Sequence, residues 1–330
     1  MPLTDPRPSD PLDVLAQRAL SLWELPAGAR ADLINLSENA TYLVTAPGGW
    51  KSVLRVHRVG YHTRQAIESE LAWMDALRLD AGVPTPPVIA TRTGARIAEM
   101  APPGGSVRDL VMFAFIEGRE PAVEDDLNAP LLRLGEISAR LHLHAMKWTP
   151  PPGFVRLTWD DAAILGAAPV WGHWRDGPGV DAGAEALLGR LETAVRARLA
   201  RYGKARDRYG LIHADVRLAN LLVQNGETRV IDFDDSGFGW FLYDVATAFS
   251  FVENHPKVPE WTQSWLEGYR RVRRLPEEDV REIPTFIMLR RLALLAWIGS
   301  HAETDTAREL APSFAAISCD LAEHYLSRFG

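Results

Sequence analysis

The sequence predicts an α+β protein with a small strand-rich lobe followed by a larger helical one. Three observations carry this. Between residues 20 and 116, short apolar runs alternate with turn dipeptides. After Gly118 the apolar spacing becomes that of helices. At 330 residues the chain is too long for one simple core. The lobes are placed at 1–116 and 117–330, with the cleft between them as the expected ligand site.

Taken in order, residues 1–11 are Pro- and Asp-rich and are expected to fray. Residues 13–22 form a short amphipathic helix. Residues 31–36, 42–45 and 52–57 read as strands, the last two joined at Pro47-Gly48-Gly49. A helix follows over 63–79, with Thr63 as N-cap. Residues 88–91 and 96–100 flank the turn Arg92-Thr93-Gly94, and 111–116 is the last strand of the small lobe. Helices are predicted over 127–146, 182–202, 242–253, 260–273, 277–301 and 307–328.

The chain is 47% hydrophobic and 24% charged, as in an ordinary globular protein. A net charge of −7 argues against a nucleic-acid partner. The single cysteine, Cys319, excludes an internal disulfide, and no Cys/His cluster has zinc spacing. The N-terminus has no apolar signal-type region, and the longest apolar stretch, 286–298, is interrupted by Arg290 and Arg291 and is too short to span a membrane. A cytoplasmic protein is expected, its oligomeric state open.

The chemistry is concentrated in residues 211–235, LIHADVRLANLLVQNGETRVIDFDD. Asp215 follows His213 by two residues, Asn220 lies five beyond it, and Asp232 twelve beyond that. Phosphoryl transfer needs a carboxylate beside the attacking hydroxyl and oxygen ligands for magnesium on the phosphates. Asp215, Asn220 and Asp232 are the right types in the right order. Asn225-Gly226 between two apolar runs signals a hairpin, which brings Asn220 at its start and Asp232 at its end together. Protein kinases carry the related H-R-D-x-x-x-x-N and D-F-G; here Ala214 replaces the Arg, and Asp232-Phe233-Asp234 stands for D-F-G.

From about Leu33 to Asp244 the chain resembles the aminoglycoside phosphotransferase, choline kinase and homoserine kinase group. The resemblance is strongest in LIHADVRLANLLV and VIDFDDSGFGWFLYDVA, with SVLRVHRVGYHTRQAIESELAWMDALR also similar. It implies a bilobal protein-kinase-like fold, ATP with magnesium, and transfer of the γ-phosphate to a small-molecule hydroxyl. It implies Asp215 as catalytic base, Asn220 and Asp232 as magnesium ligands, and His213 and Asp244 as supports of the catalytic loop. Arg55 takes the place of a nucleotide-contacting lysine, with Glu70 or Glu68 as its partner and Lys51 as a weaker alternative. Guanidinium binds carboxylate and phosphate bidentately, so the replacement is chemically sound. The chain has only four lysines against 32 arginines.

Ser37 and Asn39, in the turn Ser37-Glu38-Asn39-Ala40-Thr41, can cap phosphates in place of a glycine-rich loop, or form a plain turn. Arg217 can offset γ-phosphate charge or make a surface ion pair. Asp234 and Asp235 add negative charge that favours a cationic acceptor. Asp160 and Asp161 beside Trp159, Trp171 and Trp174 suit an ammonium group, although the tryptophans can equally pack the lobe. Arg290 and Arg291 need acidic partners, from a substrate carboxylate or a structural Asp or Glu. The competing expectations are a protein Ser/Thr kinase, disfavoured by the missing A-P-E segment, and a non-catalytic nucleotide-binding regulator, disfavoured by intact Asp215, Asn220 and Asp232.

Overall fold

In the computed structural model, which describes residues 11–330 apart from Glu38 and Pro103, the chain divides into two units. One takes the chain up to Asp75, with Pro86–Ile116 and Gly153–Val155; the other takes Ala76–Thr85, Glu117–Pro152 and Arg156–Gly330. The segment expected to fray lies outside the described residues up to residue 10, and Pro11 begins the first helix.

The first unit opens with α1 (Pro11–Ala19) and a 3₁₀ turn, Leu20–Leu22. Strands β1 (Arg30–Leu36), β2 (Ala40–Ala46) and β3 (Trp50–Val56) follow, then α2 (Arg64–Asp80), β4 (Val88–Ile89), β5 (Ala98–Met100) and β6 (Arg108–Ala114). The sheet is antiparallel in the order β1-β2-β3-β6-β4, with β5 also on β6. The two strands flanking the Arg92-Thr93-Gly94 turn thus pair with β6, not with each other. In β2, Ala40, Tyr42 and Val44 are buried at every second position, as a strand with one covered face requires. They pack with Leu54, Val56, Leu110, Met112 and the α1 residues Leu15 and Ala16. Gly48 and Gly49 turn the chain between β2 and β3 with φ of 84° and 82°. Thr63 caps α2, its Oγ1 accepting the Ala66 N–H at 3.2 Å.

The second unit contains α3 (Asn128–Ala145), β7 (Leu157–Trp159), α4 (Asp161–Leu165), α5 (Ala182–Tyr202), β8 (Tyr209–Ile212), β9 (Leu221–Gln224), β10 (Glu227–Val230), β11 (Gly237–Trp240), α6 (Phe241–Ala248), α7 (Val258–Val272), α8 (Glu277–Val280), α9 (Ile283–Ser300) and α10 (Asp305–Phe329). The predicted helix over 277–301 is therefore two. Pro284, in the first turn of α9, has no N–H and its ring bars continuation from the preceding turn, so α8 stops before it. The predicted helix over 242–253 ends at Ala248. The segment Glu277–Ser300 has the length and apolarity of a membrane span, with mean hydropathy 1.3 over its most apolar 18 residues, but 78% of those 18 are buried inside the unit. It is a core segment.

Strands β7, β11 and β8 make a small mixed sheet, with β11 parallel to β7 and antiparallel to β8. The sequence gives little sign of it because β11 reads Gly-Phe-Gly-Trp. A Cβ on Gly237 would sit 2.4 Å from the Leu157 carbonyl oxygen, so the weak strand former is required there.

Helices α3 and α7 meet through Gly135 and Gly268. A Cβ on Gly268 would lie 1.8 Å from the Leu132 carbonyl oxygen, and one on Gly135 2.0 Å from that of Trp265. Only hydrogen fits, so the two backbones touch. Gly268→Ala is expected to destabilise the protein by about 3 kcal/mol, the upper range for overpacking. Gly189→Ala in α5, where a Cβ meets nothing within 4 Å, should instead stabilise by about 0.5–1 kcal/mol. Denaturant unfolding of both variants at unchanged m-value checks the pair.

Candidate active site

The site is built where β8 runs out. Beyond Ile212 the chain enters a loop, 213–217, closed by a 3₁₀ turn at Leu218–Asn220. Ala214 has φ of 67°, a left-handed conformation that costs a non-glycine residue about 1 kcal/mol or more. Asp244, in the first turn of α6, holds it there. Its Oδ1 accepts the Ala214 N–H at 2.8 Å, and Oδ2 accepts the His213 N–H at 3.3 Å and His142 Nε2 at 3.0 Å. One turn along α6, Thr247 Oγ1 accepts the Val216 N–H at 3.1 Å. Asp244 is fully buried. Burial pushes the His142 pKa down against the pull of Asp244, so a neutral His142 donates from Nε2 and accepts the Tyr269 hydroxyl on Nδ1 at 2.9 Å.

His213 is buried as well. Its Nε2 lies 3.1 Å from the Ile231 carbonyl, and its Nδ1 accepts the Asp215 N–H at 3.3 Å. One tautomer, with the proton on Nε2, satisfies both bonds. The imidazole therefore pins the loop to the residue before Asp232.

The β9–β10 hairpin brings the other groups in. Asn225 and Gly226 turn it with φ of 51° and 78°, and Leu221 pairs with Val230. Beyond that pair, the Ile231 N–H donates to the Asn220 carbonyl at 3.0 Å. Asn220 and Asp232 thus stand at adjoining ends, as a shared ion requires. Asn220 Nδ2 donates to the Asp215 carbonyl at 2.9 Å and to Asp215 Oδ2 at 2.8 Å, which turns its amide oxygen away from Asp215. Asp232 is exposed, with φ of 63°. An amide oxygen and a carboxylate form an all-oxygen donor set, which fits a hard divalent cation such as magnesium.

Asp215 is gripped by cations. Arg290 Nη2 lies 2.6 Å from Oδ1 and Arg217 Nε 3.2 Å from Oδ2. Burial opposes its charge, but Arg217 and Arg290 together hold its carboxyl below the ordinary range. Arg156 bonds the carbonyls of Ser236, at 2.6 Å, and Asp234, fixing the backbone after Asp232. Trp159 Nε1 donates to the Asp235 carbonyl at 2.7 Å, and its ring meets Trp171 and Tyr243 at centroid distances of 4.9 and 6.4 Å. Arg290 lies over Trp171 and Tyr243 at 5.2 and 5.9 Å.

Two candidates for substrate contact are engaged in packing. Asp160 caps α4 through the Ala163 N–H and pairs with Lys204 at 2.6 Å. Trp174 is buried, its Nε1 donating to Glu192 at 3.0 Å under a stacked Arg175. The acids facing the two buried arginines are the protein's own: Asp215 for Arg290, and Glu253, 2.7 Å away, for Arg291. That Arg290 reaches Asp215 lies beyond sequence reading. The only signal was two arginines in an apolar helix.

In the first unit, Arg55 Nη2 lies 2.5 Å from Glu70 Oε1, both side chains buried, and its guanidinium stacks on Phe113. Glu68 pairs with Arg64 instead. Lys51 is exposed and sits over Phe115. Asn39 is buried, and its Oδ1 accepts the Arg58 N–H at 3.1 Å. Its side chain therefore braces the turn. Ser37 donates its N–H to the Asn39 carbonyl at 3.1 Å, and Glu38 lies outside the described residues.

Residues 33–281 match the family described as "Phosphotransferase enzyme family". Amicoumacin kinase of Bacillus subtilis (strain 168) is 23% identical over 268 residues, covering 78% of this chain and 76% of that protein. Among solved structures, the microcompartment-associated aminopropanol kinase superposes with a TM-score of 0.88 at 48% identity, covering 96% of this chain and 98% of that one. An amicoumacin kinase solved with AMP-PNP, Ca2+ and Ami has the same fold, with a TM-score of 0.75 at 20% identity over 92% of each chain. The chain belongs to the phosphotransferase enzyme family.

Proposed function

We propose that this protein transfers the γ-phosphoryl group of ATP, with magnesium, to the hydroxyl of a small amino alcohol in the cytoplasm. The observation that carries the reading is the convergence of Asp215, Asn220 and Asp232 at the two ends of one hairpin. The acceptor class is suggested by the 48% identity to an aminopropanol kinase.

Each group then has a role. Asp215 accepts the proton of the acceptor hydroxyl. Its depressed pKa suits a loose transition state, in which orienting the hydroxyl matters more than early proton removal. Arg217, beside it, offsets charge on the transferred group. Asn220 and Asp232 would hold the magnesium, which would supply neutralisation of the phosphate charge. In the first unit Arg55, held by Glu70, contacts the α- and β-phosphates, and the Ser37 hydroxyl caps the phosphates while Asn39 braces the turn that carries it. Asp235, with Trp159, Trp171 and Tyr243 near its backbone, gives an acceptor ammonium a carboxylate and aromatic faces.

ATP consumption is the first test, with aminopropanol, ethanolamine, choline, aminoglycosides, sugars and a generic protein as acceptors. Turnover on an amino alcohol supports the reading; turnover on protein alone refutes it. Asp215→Asn should lower kcat by about 10³-fold, within the range for a general base, while nucleotide affinity stays within about threefold. Wild-type turnover in that variant removes Asp215 from the reaction. Asp232→Ala should weaken Mg–nucleotide binding by at least about tenfold, or 1.4 kcal/mol, in a titration calorimeter. Equal affinity with and without the carboxylate would place the metal elsewhere. Arg55→Ala should raise the nucleotide KM and also destabilise the fold by about 3–5 kcal/mol, because Glu70 is left buried and unpaired. Arg55→Lys should recover most of both, read from kinetics and thermal unfolding together.

A further inference from the structure

The two oxygens of Asp215 are not equivalent. Oδ2 receives two donors, Asn220 Nδ2 at 2.8 Å and Arg217 Nε at 3.2 Å. Among the described residues Oδ1 receives one, Arg290 Nη2 at 2.6 Å. A carboxylate oxygen has two lone-pair sites. Oδ2 is therefore saturated, and Oδ1 keeps one site for a further donor.

Arg290 is itself fixed. Its Nε donates to Ser250 Oγ at 2.9 Å, and Ser250 Oγ donates to the Thr247 carbonyl at 2.8 Å. Its guanidinium lies against the Trp171 and Tyr243 rings. The neighbouring Arg291 sets the rotation of α9. It bonds Glu253, Ser318 Oγ at 2.7 Å and the Phe314 carbonyl at 3.0 Å, and stacks on the Phe314 ring. Successive helical residues point about 100° apart, so with Arg291 locked towards α10, Arg290 is held on Asp215. The pair divides the work: Arg291 anchors the helix, and Arg290 serves the carboxylate.

We propose that Arg290 is a positioning residue that turns Asp215 so that Oδ1 receives the acceptor proton, with the acceptor hydroxyl approaching on the Arg290 side of the carboxylate. The inference rests on Asp215 being the base. In the step itself, the acceptor oxygen forms a bond to the γ-phosphorus as the bond from that phosphorus to the ADP oxygen breaks. The electron pair leaves with ADP, and the hydroxyl proton passes to Oδ1. Arg290 neither gives nor takes a proton. It keeps Asp215 from rotating, which would bring the saturated Oδ2 to the hydroxyl.

The test compares wild type, Asp215→Asn, Arg290→Met, Arg290→Lys and Arg290→Ala. It uses aminopropanol as acceptor and also water, through phosphate release from ATP. Arg290→Met should lower kcat about 100-fold, the cost of a misplaced base, with nucleotide KM within about twofold of wild type. Arg290→Lys, which keeps a cation and a donor, should restore at least about tenfold of that loss, and millimolar guanidinium ion should raise the rate of Arg290→Ala. If Arg290→Met fails to fold, Ser250→Ala loosens the guanidinium without removing it, and should lower kcat by roughly fivefold at unchanged nucleotide KM. Arg290→Met turning over within threefold of wild type while Asp215→Asn is dead would overturn the proposal and leave the base intact. Equal impairment of the Met and Lys variants, with no guanidinium rescue, would reduce Arg290 to a structural role. Turnover by Asp215→Asn would instead sink the base assignment beneath it.

Discussion

A fully buried carboxylate, Asp244, is the interaction on which the rest of this site depends. Burying a charge costs several kcal/mol unless hydrogen bonds replace its water. Here three donors replace it: the His213 and Ala214 N–H groups and His142 Nε2. Two of the three are backbone groups of the loop 213–217, one of them on a residue in a left-handed conformation. The carboxylate and the strained loop are therefore each other's condition. Without Asp244 the loop has no reason to hold Ala214 at positive φ, and without the loop the charge has no reason to be buried.

The support extends outwards along α6. Asp244 and Thr247 are three apart on α6, which puts them on one face, and Ser250 follows two residues beyond its end. Asp244 and Thr247 hold the loop backbone, and Ser250 holds Arg290. Behind Asp244, His142 on α3 meets Tyr269 on α7, and Tyr269 takes a bond from Arg273. That contact needs the two helices in register, which the glycine crossing at Gly135 and Gly268 enforces. A packing constraint between helix backbones is thus linked to the orientation of a loop through one imidazole.

Charge in the site is arranged rather than merely crowded. The acids Asp215, Asp232, Asp234 and Asp235 read from the sequence as a negative cluster. In the structure, Arg217 and Arg290 both contact Asp215, and Arg156 is bonded to the carbonyls after Asp232. The cations fix orientation where a bare cluster would repel itself. Asp232, by contrast, is exposed, as suits a group offered to a metal.

What the sequence by itself determined is what depends on near neighbours. The His213, Asp215, Asn220 and Asp232 spacing, the Asn225-Gly226 turn, the Thr63 cap and the strands and helices of the first unit all rest on short-range rules: turn chemistry, capping and apolar periodicity. The Arg55–Glu70 pair was within reach because one strand and the next helix confine the choice to two glutamates. Tertiary structure alone decided what depends on distant segments. The β7-β11-β8 sheet joins residues some 80 apart through a glycine-rich strand whose composition hides it. Arg290 meets Asp215 across 75 residues. Asp160 and Trp174, chosen for their chemistry, went to a helix cap and a packed helix face. The physical reason is common to all three. A side chain's type announces what it can bond, but only the packing of remote elements decides which partner comes within reach.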